Sequence, residues 1–250
     1  MRQVAITLDI DWAPDWMIDA AAAPLVEHRV KATWFVTHAS AAVDRLRLHP
    51  ELFELGLHPN CLPGSTHGAT EDEALRHVRA LAPEAVSMRT HGLYQTTAFL
   101  LKAARDYGVK VDASLLLPGV AWPGVVRLRY WGAELLRVPY CWEDGCELSA
   151  ERPDWTLANP ALCGEGRTVL AFHPWHIALN TPSYECYRQL REAAGNGLAQ
   201  AELAARSWQG NGAGTFFQDL ARALRGSGAT VRELAGLAAT PDLPNRGDPS

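Results

Sequence analysis

Over the first 115 residues, short β-branched runs alternate with longer stretches of helical periodicity, and this order constrains the fold more than any other feature. Residues 3–8 (QVAITL) read as a buried strand ending in acids, 16–28 as a helix, and 31–37 (KATWFVT) as a second strand. A short third strand covers 55–58. Thr70, with Glu73 three residues later, opens a capping box for a helix to about Leu81. A fourth strand covers 85–89. Next comes a helix over 96–107, closed by Gly108, and a fifth strand over 109–112. This βαβα order predicts a mainly parallel sheet wrapped by helices. Farther on, 125–130 and 134–138 read as a strand pair, 168–172 as a buried strand, and 182–194 and 215–224 as helices. No internal repeat or interdomain linker interrupts the pattern, so one domain is expected over 1–240 with a flexible tail over 241–250.

The composition excludes several classes. With 48% apolar residues in 250, the chain has ample material for one large core, which rules out disorder over most of its length. The formal charge is −5, from 28 acidic and 23 basic residues, so there is no basic excess for nucleic acid. No apolar run approaches the ~20 residues that span a bilayer. Asp9, Asp11, Asp15 and Asp19 argue against a secretory signal at the N-terminus. Five irregularly spaced cysteines give neither a disulfide framework nor a CxxC zinc pair, which suits a reducing cytoplasm.

Chemically capable residues collect at the C-terminal ends of the expected strands: Asp9 and Asp11, His58, Arg89 and His91, Asp112, and His173 and His176. In parallel α/β architectures that rim is where sites are built. The paired carboxylates of Asp9-Ile10-Asp11 repel unless a cation compensates, so one can ligate metal while the other acts as base. The same pair also suits an acidic helix cap. His58, with His67 nine residues on, supplies imidazole for a divalent ion; two His and one carboxylate form a recognised catalytic set. Arg89 is placed to hold a carboxylate such as Asp9 ionised. His91 is a candidate substrate contact or alternative ligand, and Asp112 a candidate orienter of a general-acid His. His173 and His176 compete for that acid role. Tyr140, Trp142 and Glu143, with Trp122 and Trp131 nearby in sequence, are expected to wall a sugar subsite by stacking.

These motifs resemble a known family. Thr7-Leu8-Asp9-Ile10-Asp11 looks like the first motif of the polysaccharide deacetylases, carbohydrate esterase family 4. LDIDWAPD, GLHPN followed by Gly-Ser-Thr-His-Gly, RTHGLYQ, VDASLLLPG and FHPWHI are similar to a subgroup linked to surface-polysaccharide biosynthesis. The resemblance spans roughly residues 3–180. It implies a distorted seven-stranded (β/α) barrel and a metal-dependent hydrolase of amides or esters. By position it makes Asp9 the general base, Asp11 and His58 metal ligands, Arg89 the residue orienting the base, and His173 the general acid supported by Asp112. The family's second motif places two His on one helical turn; here Pro-Asn follows His58, leaving His67 or His91 as third ligand.

The expected function is removal of an N-acetyl or similar N-acyl group from an amino sugar or glycan precursor, with one divalent ion, zinc first. The rivals are a non-catalytic glycan-binding barrel and a phosphatase using Asp9 as nucleophile. The second would need a supporting lysine and a downstream acidic pair. The chain offers only Lys31, Lys102 and Lys110, and Glu143-Asp144 as the pair.

Overall fold

A computed structural model describes residues 3–159, 162 and 167–237 of the chain. One nine-stranded sheet is built from β1 (Gln3–Asp9), β2 (Ala32–Val36), β3 (Phe53–Leu57), β4 (Ser87–Met88), β5 (Val111–Asp112), β6 (Val126–Tyr130), β7 (Ala133–Arg137), β8 (Trp142–Glu143) and β9 (Arg167–Phe172). Their spatial order is β6-β7-β5-β4-β3-β2-β1-β9-β8, and every pairing is parallel except the β6–β7 hairpin. The helices are α1 (Asp15–His28), α2 (Ala41–Leu46), α3 (Glu71–Leu81), α4 (Thr97–Tyr107), α5 (Asp144–Leu148), α6 (Pro174–Leu179), α7 (Tyr184–Gly195), α8 (Gln200–Ala205), α9 (Ala213–Ala223) and α10 (Val231–Leu237). The expected flexible tail, 241–250, lies outside the described residues.

Among the described residues, nine strands stand in place of the seven expected. The hairpin adds β6 at one edge, and β8 adds two residues at the other. The chain leaving β7 links the two edges. Val138 N bonds Asp112 O (2.8 Å) and Tyr140 N bonds Leu115 O (3.0 Å), after which Cys141 N bonds Val169 O (3.3 Å) beside β9. This stretch therefore passes from the β5 side to the β9 side, and the sheet curls.

Local signals account for the strongest helices. Thr70 and Glu73 form the reciprocal capping box of α3, and Gly108 takes the left-handed conformation (φ 66°) that ends α4. Alternation along the strands divides the apolar residues between two cores. Ile6, Leu8 and Trp34 face outward to α1 and its neighbours, whereas Ala5, Phe35, Val169 and Ala171 line the inside of the curl with Val111, Ala113, Val138 and Tyr140. Gly56 makes room for that interior, since a Cβ there would meet the Phe35 ring at 2.6 Å.

The N-terminal end of the curl is floored by α10, whose Val231, Leu234 and Ala235 pack into the inner core. Its position is fixed by Glu54, which is 4% exposed. That carboxylate accepts from Thr33 Oγ1 (3.0 Å), Ser87 Oγ (2.5 Å) and the Arg232 amide (3.1 Å) in the first turn of α10. Because β1–β5, β7, β8 and β9 run parallel, their C-terminal ends share the opposite rim.

Candidate active site and metal centre

Asp9 is the last residue of β1, and the chain turns sharply after it. Asp11 (φ 37°) and Trp12 (φ 54°) both have left-handed backbones, with Ala13 N bonded to Ile10 O (2.7 Å) and Trp12 N to Thr37 Oγ1 (3.2 Å). The turn aims Asp11 at three imidazoles. Its Oδ1 lies 3.1 Å from His58 Nε2 and 3.0 Å from His91 Nδ1, and its Oδ2 lies 3.6 Å from His173 Nε2. Burial opposes ionisation of Asp11, but the His58 and His91 contacts and the His58 and His173 charges outweigh it and hold the carboxyl well below its ordinary range.

His58 follows β3 and is almost fully buried. Its Nδ1 sits 2.7 Å from the Arg89 carbonyl oxygen, which can only accept, so Nδ1 carries a proton. In the neutral ring, the Nε2 lone pair then points at a carboxylate oxygen 3.1 Å away. Two acceptors at that distance require a proton or a cation between them. Burial lowers the His58 pKa, but Asp9 and Asp11 overcome it and raise the net value. Asp11, His58 and His91 place their ligand atoms within 4.8 Å of one another. Two imidazoles and one carboxylate suit zinc or a similar divalent ion.

His67 is not part of that group. Its Nδ1 accepts from the Asn60 amide (3.0 Å), and its ring stacks on His77 at 4.5 Å. Burial and the neighbouring His77 push its pKa down to about 4. His91, on a single 3-10 turn (His91–Leu93), takes the third position instead.

Arg89 is fully buried within the curl. Its Nη1 bonds Asp9 Oδ1 (3.1 Å) and Thr7 Oγ1 (2.8 Å), and its Nε bonds Ala113 O (2.9 Å). The guanidinium lies between Phe35 (4.7 Å) and Tyr140 (4.2 Å), a cation–π arrangement on both faces. Its Nη2 has no hydrogen-bond partner among the described residues. Asp9 Oδ2 lies 3.9 Å from His58 Nε2, so the base candidate adjoins the ligand group.

The carboxylate facing His173 is Asp144, not Asp112. Asp144 Oδ1 lies 2.6 Å from His173 Nδ1, and its Oδ2 accepts from the His173 amide (2.7 Å). Asp112 instead bonds Arg137 Nε (2.7 Å) and the Ser114 amide (3.2 Å), a structural tie between β5 and β7. Burial lowers the His173 pKa, yet Asp144, then Asp11 and Glu143, raise it well above the ordinary value. His176 is buried behind it, bonded to Thr181 Oγ1 (3.0 Å); burial and the His173 charge push it down to about 4. In the sequence Asp144 stands out only as an acid beside Glu143; its position at the start of α5, directly after a strand, is the signal that marks it.

The expected aromatic wall is not assembled. Trp142 is 5% exposed and packs on Phe172, Trp155 and Phe216 in the outer core. Trp131 lies on the turn between β6 and β7, and Trp122 Nε1 donates to Pro139 O (2.8 Å). Tyr140 is spent against Arg89, with its hydroxyl donating to Glu143 Oε2 (3.1 Å). Glu143 is half-buried; burial and the Asp144 and Asp9 charges raise its pKa against His173 and Arg89.

With this geometry established, comparison with known proteins decides the family. The family profile described as WbmS-like polysaccharide deacetylase matches residues 6–191. The chain belongs to that family. A crystal structure from Bordetella bronchiseptica, of WbmS, assigned as a polysaccharide deacetylase of O-antigen biosynthesis, is similar at 32% identity and TM-score 0.71. The match covers 87% of this chain and 89% of that one. The Bc1960 peptidoglycan N-acetylglucosamine deacetylase is far more distant, at 15% identity and TM-score 0.47 over 93% of this chain and 87% of that one. A Bacillus anthracis pseudoenzyme of carbohydrate esterase family 4 gives 14% and 0.39 over 82% and 66%, too remote to inform the site. The curated proteins contain no match. Among the described residues of this polysaccharide deacetylase family member, no helix is long and apolar enough to cross a membrane.

Proposed function

We propose that this protein is a metal-dependent N-deacylase acting on an amino sugar of a surface-polysaccharide precursor. The observation that carries the reading is the buried His58 imidazole, forced by the Arg89 carbonyl to aim its Nε2 lone pair at Asp11 with His91 alongside. Membership in the family and the likeness to WbmS support the substrate class.

Asp11, His58 and His91 would hold the ion. When bound, a divalent ion, zinc being our choice, supplies Lewis-acid polarisation of an acyl carbonyl and lowers the pKa of a water. Asp9 receives the proton of the attacking water, and Arg89 holds that carboxylate in place. Asp144 holds His173 by both its ring and its amide, so that Nε2–H points into the site. His173 delivers this proton to the departing nitrogen as the C–N bond breaks, leaving acetate and a free amine. His176, neutral and turned to Thr181, supports the His173 ring and does not serve as the acid. Glu143 borders Asp9 and His173 and contacts the sugar.

Asp9→Asn tests this directly. It keeps the ligands Asp11, His58 and His91, so metal content should stay near one ion per chain while acetate release from N-acetyl sugars falls ~10²-fold or more. Normal release by the variant would remove Asp9 from the base role. A wild-type protein that binds metal and sugar but releases no acetate would be the glycan-binding alternative.

A further inference from the structure

The turn after Asp9 carries a residue that its backbone does not favour. Ile10 O accepts from Ala13 N, and the two central residues, Asp11 and Trp12, both have positive φ, the mark of a type I′ turn. Aspartate tolerates that conformation, but the second central position is normally glycine or asparagine. A bulky aromatic there stores about 1–3 kcal/mol of strain.

The indole is nonetheless kept at the rim of the site, 38% exposed. It stands edge-on to His91 with centroids 5.2 Å apart, and tilted against His67 at 5.3 Å. Leu62, 39% exposed, flanks the same region: it lies so close over Gly92 that an added Cβ there would come within 2.9 Å of Leu62 Cδ1. An exposed aromatic side chain therefore borders His91, one of the three ligand candidates, and an exposed aliphatic one lies over the next residue, Gly92. Of the aromatics expected from the sequence to stack on sugar, Tyr140 and Trp142 are buried, at 1% and 5% exposure.

We propose that Trp12 is the sugar-stacking residue of this site, its partly exposed indole receiving the C–H face of an N-acylhexosamine ring whose acyl group reaches toward Asp11, His58 and His91. A pyranose presents an apolar face of axial hydrogens to such a ring and keeps its hydroxyls at the edge. The inference rests on the deacylase reading for the orientation of the acyl group, not for the stacking.

Saturation-transfer NMR with N-acetylglucosamine, N-acetylgalactosamine and N-acetylmannosamine, on metal-loaded protein, tests it. Wild type should saturate ring protons of at least one sugar. Trp12→Gly and Trp12→Ala should weaken that binding ~10-fold or more, and Trp12→Phe should restore most of it. Metal content should stay equal in all four proteins. Trp12→Gly relieves the backbone strain, so its Tm should match or exceed that of wild type and folding will not confound the result. Absence of ring saturation from all three sugars in wild type, undiminished binding by Trp12→Gly, or loss of metal alongside loss of sugar would overturn the proposal. Acetate release is measured separately: sugar binding without release would retire the deacylase reading and leave Trp12 in its role.

Discussion

The two ends of the curled sheet both bury a carboxylate, and they treat it differently. At the floor, Glu54 is satisfied by two hydroxyls and the Arg232 amide, all neutral donors fixed by the fold. At the rim, Asp9 and Asp11 face a guanidinium and three imidazoles; two of those contacts are longer than a hydrogen bond, and one guanidinium nitrogen has no hydrogen-bond partner among the described residues. The floor is a closed account of polar groups, as stable interiors are. The rim leaves contacts long and one buried donor unused, the kind of incomplete pairing that marks a candidate functional site.

This contrast can be broken by substitution. The largest expected effect is at the rim: His58→Ala should abolish stoichiometric metal binding in elemental analysis, with acetate release lost as well, while the fold survives by circular dichroism. Retained metal would mean that Asp11 and His91 suffice. Next, Asp144→Asn should cut turnover ~10–10³-fold without releasing metal, because His173 loses the charge that orients and protonates it, whereas Asp112→Asn should act on stability through Arg137. Equal catalytic losses from both variants would undo the pairing of Asp144 with His173. At the floor, Glu54→Ala should destabilise by about 1–3 kcal/mol in urea melts, since it strands the hydroxyls of Thr33 and Ser87 and the first-turn amide of α10. The turnover of folded Glu54→Ala molecules should stay near wild type; a selective loss of activity would show the two ends to be coupled.

The smallest effect concerns pH. His67 titrates near its ordinary 6.5 when unfolded and at about 4 when folded, so the unfolded chain binds the proton first. Its contribution to stability is complete above about pH 6.5 and is lost as pH falls toward 4. His67→Gln should therefore flatten the fall of Tm over that window. An unchanged slope would place the acid sensitivity elsewhere.

Local signals made much of this legible in the sequence. The buried runs of β1, β2 and β9, the Thr70–Glu73 box and Gly108 are set by neighbours within a few residues, and strand ends carried Asp9, Asp11, His58, Arg89 and His173 to one rim. What could not be read depends on contacts distant in the chain. Asp144 meets His173 only because the chain after β7 crosses to β9, so Asp112, at the end of a conspicuous strand, drew the assignment. His67 or His91 could not be decided from loop sequence, since the Asn60 amide turns one imidazole away and the 3-10 turn swings the other in. Trp142 is not legible as a core residue, because alternation shows that a residue faces one side of a strand, not which side is core.

The crossing stretch has a consequence for when the protein becomes chemically competent. Residues 138–144 contribute the strand segments that join the sheet's edges, the Tyr140 ring against Arg89 and the carboxylate that turns His173. The carboxylate that turns His173 and the segments that close the curl thus lie on one stretch of chain. Asp9 and Asp11 follow from β1 and His58 from β3, with β2 between them, whereas His173 is turned only where the two edges meet. On the proposed deacylase reading, a chain whose edges have not met would lack the oriented His173 and so would not turn over substrate.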